Sequence, residues 1–134
     1  PSYISLDYAL HYYGLIPERV ETVTSVTISR GKRFSTPVGL FIYHSISMKA
    51  YQIGIDQVEL ESGHFFLIAT PEKAVFDKVF YDKRFDGNDP ETYLLEDLRM
   101  DPDKLKEFDK QRLVLLAPFM RGRLRKLHQF LEAL

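Results

Sequence analysis

Apolar residues first recur at helical spacing at Leu6, Ala9, Leu10 and Tyr13, which predicts a helix over about 5–13. Ser5 suits its N-cap, because a hydroxyl there can accept a bond from a free first-turn N–H. Gly14 suits the left-handed residue that ends it, Leu15 can fold back over the last turn, and Pro17 prevents resumption. From 20 to 29 the pattern changes to "VETVTSVTIS", rich in β-branched side chains that fit a pleated surface better than a helix. "RGKR" turns the chain at 30–33, and 34–36 is a short strand. "TPVG" then reads as a hairpin turn, with Pro37 fixing the first corner and Gly39 suited to positive φ. "LFIYHSI" (40–46) is apolar on both faces until Ser45, so it is expected inside the sheet and covered on both sides.

"YQIGIDQVEL" (51–60) holds one or two short strands, with Gly54 expected at a bulge. "HFFLIA" (64–69) is the most continuous apolar strand and is expected at the centre of the sheet. Helical spacing returns with "TPEKAVFDKVFYDK", predicting a helix over about 71–82. Thr70 is its N-cap, Pro71 its first residue, Glu72 sits at its positive end, and Ala74, Val75, Val79 and Phe80 form its stripe. The remainder is helical in pieces: Pro90 to about Arg99, a short helix after Asp101-Pro102, 111–117 with Pro118 near its end, and 123–133 after Gly122. Strands grouped before helices predict an α+β domain spanning 1–134. It has an N-terminal helix, a mostly antiparallel sheet of five to six strands, and a C-terminal set of four to five helices.

Composition changes this picture in few places. Ten Phe and eight Tyr without Trp predict an aromatic core. The absence of Cys excludes disulfides and thiolate metal sites and agrees with a cytoplasmic location. No apolar run approaches the roughly 18 residues that span a bilayer, so no membrane association is expected. The net charge of −1 argues against a dedicated nucleic-acid binder, but the charges are segregated. Arg19 to Lys49 is basic apart from Glu21, Asp82 to Asp103 is mainly acidic, and Lys110 to Leu131 carries six basic residues and no acid.

Candidate chemistry is sparse. His11, His44, His64 and His128 are far apart and show no metal-ligand spacing, so no metal is expected. His44 reads as a hydrogen-bonded core histidine. No glycine-rich phosphate loop and no nucleophile elbow occur, so no cofactor site and no catalytic residue are assigned. Asp56, Glu59 and Glu61 lie in a strand region, where a metal-dependent nuclease would gather carboxylates. The Glu-x-Lys triple of such enzymes is missing, and Glu72 and Lys73 are adjacent on a helix instead. At the end of the chain Met120, Leu124, Leu127, Leu131 and Leu134 form an apolar stripe. Arg121, Arg125 and His128 lie on another side, flanked by Arg123 and Lys126. This is either an ordinary amphipathic helix packed on the sheet or a basic patch for phosphates or an acidic partner. Arg30, Lys32 and Arg33 form a second cluster at a turn.

Three stretches occur in an order and spacing that carry a family resemblance: "PSYISLDYALHYYGLIPE", "TVTSVTISRGKRFSTPVGLFIYHSI" and "FFLIATPEKAVFDKVFY". Together they cover about the first 80 residues, and the helical remainder fits less closely. The chain resembles the C-terminal domain of AbiEi-type antitoxins, from the type IV toxin–antitoxin systems of abortive phage infection. The resemblance implies a non-enzymatic regulatory domain that counteracts a nucleotidyltransferase-like toxin without a stable complex. It also implies an N-terminal winged helix-turn-helix domain that binds operator DNA and represses the operon, assisted in some members by the C-terminal domain. Nothing precedes Pro1 here, so this chain alone is not expected to read operator DNA with base specificity. The motif residues are Tyr3, Ser5, Gly14, Thr36, Pro37, Gly39, Tyr43, Thr70, Pro71, Glu72 and Lys73, and local chemistry makes most of them caps and turns.

Overall fold

The three residues Ser2–Ile4, too short for any alternation to register in sequence, form a strand at the middle of the sheet. The computed structural model describes residues 1–134. Its six strands are β1 Ser2–Ile4, β2 Val23–Thr27, β3 Lys32–Thr36, β4 Gly39–Ser45, β5 Ile55–Glu59 and β6 Phe65–Ala69. They lie in the order β3-β4-β2-β1-β6-β5. Neighbours are antiparallel in three pairs, while β2 runs parallel to β4 and β1 to β6. β6 is therefore second from an edge rather than central. Its place is taken by β1, whose Tyr3 pairs with Val26 on the neighbouring strand and is almost wholly buried against α3.

The hairpin forms as the turn residues dictate. Thr36 pairs with Gly39 (φ 142°) across the exposed Pro37 and Val38, and the Thr36 hydroxyl donates to Gly39 O at 3.0 Å. β4 is half-buried along its length rather than covered on both sides, because one face of this half of the sheet carries no helix. Gly54 (φ 76°) marks no bulge. It lies between a four-residue helix and β5, where a Cβ would stand 2.7 Å from the Cβ of Lys73.

The helices are α1 Leu6–Tyr12, α2 Met48–Tyr51, α3 Pro71–Tyr81, α4 Pro90–Thr92, α5 Pro102–Lys106, α6 Lys110–Leu116 and α7 Arg125–Ala133. α4 continues into a wide, π-helical turn over Tyr93–Asp97. α1 ends as expected: Gly14 N–H donates to His11 O and Leu15 N–H to Leu10 O, both at 2.9 Å, which is a Schellman closure. α2, hidden in sequence among polar neighbours, was not expected. No helix is long and apolar enough to cross a membrane.

One contiguous cluster of 27 buried hydrophobic residues runs from Tyr3 to Leu131 and ties the sheet to the C-terminal helices. Its character corrects the expectation of an aromatic core. Only Tyr3, Phe76, Phe85, Tyr93 and Phe108 are buried aromatics, and leucine and alanine supply most of the rest. Many of the other rings stand half-exposed on the sheet.

Candidate functional site

Thr70 and Pro71 start α3 as their chemistry requires. Lys73 N–H donates to Thr70 Oγ1 at 3.3 Å, and Pro71 takes the position where a missing N–H costs nothing. The helix then carries Glu72, Lys73 and Asp77 into the interior, all three buried. Around Asp77 the first and third of the quoted stretches meet. The hydroxyls of Tyr3 and Ser5 both donate to Asp77 Oδ2, at 2.8 and 2.7 Å. Lys73 Nζ donates to Tyr3 Oη at 2.5 Å, lies 4.5 Å from the Tyr3 ring centroid, and stands 3.6 Å from Asp77 Oδ1. Oδ1 has no hydrogen-bond partner, and neither charged side chain reaches water.

Burial pushes the Asp77 carboxyl up, against the pull of Lys73 and the two hydroxyls, and pushes the Lys73 amine down, against the pull of Asp77. The Tyr3 phenol is raised by burial first and then by the carboxylate beside it. This cluster clamps β1 to α3, and its four side chains are buried.

The cluster also corrects the role of Ser5. Ser5 occupies the N-cap of α1, but its hydroxyl makes no cap bond because it is engaged by Asp77. Thr24 on β2 caps instead: it accepts Tyr8 N–H at 3.1 Å and donates to Ser5 O at 2.6 Å. Leu6 takes a left-handed φ of 58° at this junction, an uncommon choice for a branched side chain, and the packing around it holds it there.

The basic residues do not form one surface. Arg30, Lys32 and Arg33 are exposed around the start of β3. Lys32 and Arg33 point to opposite faces, since Lys32 pairs with Tyr43 and Arg33 with Ile42. Arg121, Arg125 and Lys126 are exposed and take part in no ion pair. Arg123 leaves the expected patch. Its guanidinium donates to Phe80 O at 2.7 Å, Phe85 O at 3.2 Å and Asp82 O at 3.3 Å, which closes the end of α3. His128 is buried, donating from Nε2 to Leu113 O at 2.7 Å and facing Glu132 at 3.1 Å.

A cavity of about 390 Å³ lies among Tyr13, Pro71, Glu72, Lys104, Phe108 and Arg112. Glu72 accepts Asp109 N–H at 2.9 Å and faces Arg112 at 3.5 Å, so this carboxylate fastens α6 to the start of α3.

The remaining candidates stand apart. Asp56 and Glu59 are three residues apart on β5, on opposite faces, and Asp56 accepts the N–H of Gln57. No three His, Cys, Asp or Glu side chains come together as metal ligands do. His44 is half-buried against Tyr81, with ring centroids 4.9 Å apart, and makes no hydrogen bond, in place of the bonded core histidine expected. Burial pushes its pKa down, Asp7 pulls it up and Lys78 pushes it down. No family model matches the chain, and no curated protein matches it either.

Proposed function

We propose that this chain is the non-enzymatic regulatory half of an antitoxin of the AbiEi type, acting in the cytoplasm beside a DNA-binding domain on the same polypeptide. In this reading it counteracts a nucleotidyltransferase-like toxin without holding it in a stable complex. Operator recognition belongs to the other domain. The observation that carries the reading is the assembly around Asp77. Tyr3 and Ser5 from the first stretch and Lys73 from the third meet on one carboxylate, while the second stretch supplies β2 to β4 beside them. Residues scattered over 70 positions of the stretches that carry the resemblance thus build one buried scaffold, which supports a structural role for them.

The test is genetic. The full-length gene and its neighbours are cloned, and the nucleotidyltransferase-like neighbour is induced with and without the antitoxin gene. Growth arrest by the neighbour, relieved by the antitoxin gene and abolished when residues 1–134 are deleted from it, is the expected result. A neighbour that does not arrest growth, or an arrest relieved equally well without these residues, overturns the proposal.

A further inference from the structure

α3 covers the face of the sheet that carries Tyr3 and His44, which touch Asp77 and Tyr81. The opposite face is bare. On β3 and β4 it presents Lys32, Phe34, Phe41 and Tyr43. Phe34 stacks on Phe41 and Tyr43 at 5.6 and 5.7 Å, and Lys32 Nζ lies 5.3 Å from the Tyr43 centroid. On β6 it presents Phe65 and Leu67, which are 57% and 40% exposed. Between these two banks runs a groove of about 500 Å³, floored by Ser2, Val23 and Ser25. At the far edge Glu59 on β5 stands opposite Phe65. Neither Lys32 nor Glu59 takes part in an ion pair. Arg30 precedes the first and Glu61 follows the second, so the bare face is basic at one edge, acidic at the other and apolar between.

We propose that this face is the interface of a two-fold homodimer. Glu59 lies three residues, about 10 Å, farther along the strands than Lys32 and five strand spacings across the sheet from it. A two-fold axis inclined by about 20° to the strands reverses their order, bringing the β3–β4 edge of one copy over the β6–β5 edge of the other with Lys32 over Glu59. The Phe41–Tyr43 bank then meets Phe65 and Leu67 of the second copy, and Lys32 meets Glu59 of the second copy, each contact occurring twice. The two serines of the floor, beside Ile4 and Val23, leave depth for the large side chains to interdigitate, as in face-to-face sheet packing. A nucleic acid fits this face less well, because Glu59 and Glu61 would repel it along one edge. Five strand spacings and a five-residue strand give on the order of 400 Å² of flat area per copy. That is about half of what each partner contributes to a standard interface, so association is concentration-dependent.

The test is sedimentation of the chain from about 1 to about 500 μM, a range suited to a small interface. Circular dichroism checks that each variant folds. The wild type is expected to dimerise, and Lys32→Glu or Glu59→Lys alone to weaken dimerisation by at least ~10-fold through like-charge contacts. An equimolar mixture of the two variants, and the double variant, should both regain it, because each restores two Lys–Glu pairs. A wild type that stays monomeric throughout, a dimer indifferent to both reversals, or single variants that fail to recover on mixing would each overturn the proposal.

Discussion

Lys73 and Asp77 sit one helical turn apart with no access to water. Removing one therefore leaves the other as a lone buried charge. Asp77→Asn is expected to lower stability by about 3–5 kcal/mol, read from urea unfolding, and replacing the pair together by Met and Leu should recover only part of the loss, because the hydroxyls of Tyr3 and Ser5 then lack their acceptor. His44 behaves differently, because its folded pKa is depressed. Below the unfolded value of about 6.5 the unfolded chain binds more protons, so stability is full above that pH and falls as pH drops toward the folded pKa. Thermal midpoints should decline across that window in the wild type and stay flatter in His44→Phe. The caps at Thr70 and Pro71 and the closure at Gly14 were legible in sequence, because their partners lie within five residues. The role of Ser5 was not, since its true partner is 72 residues away.

At the scale of elements, Arg123 shows how a side chain's neighbours override its place in a pattern. Helical spacing put it beside Arg125 and Lys126, but it reaches back 43 residues to the end of α3. Arg123→Ala is expected to destabilise by about 1–3 kcal/mol, leaving carbonyls at 80, 82 and 85 without their charged donor. Hydrogen exchange should quicken around 82–88, whereas Arg125→Ala should stay within about 0.5 kcal/mol. α3 and α5 were readable because apolar spacing and Thr-Pro or Asp-Pro starts agree there, and α6 and α7 from apolar spacing bounded by Pro118 and Gly122. β1 and α2 were not, since three or four residues carry too little periodicity to distinguish them from a connection.

For the whole molecule, the α+β arrangement with six strands followed by helices was readable from the change of period along the chain. The strand order was not, because register between distant strands depends on which faces bury together. The bare face was obscured for the same reason: Phe34, Phe41, Tyr43 and Phe65 look like core residues until the helices are seen to cover only the other side. β1 joins β3-β4-β2 to β6-β5, and without its three residues the sheet would be two separate ribbons. A pull on the segment leading into Ser2 would therefore load both seams together, and failure at either would open the molecule like a hinge whose pin had been drawn. The Asp77 assembly lies on that pin, where the hydroxyls of Tyr3 and Ser5 lock it to α3.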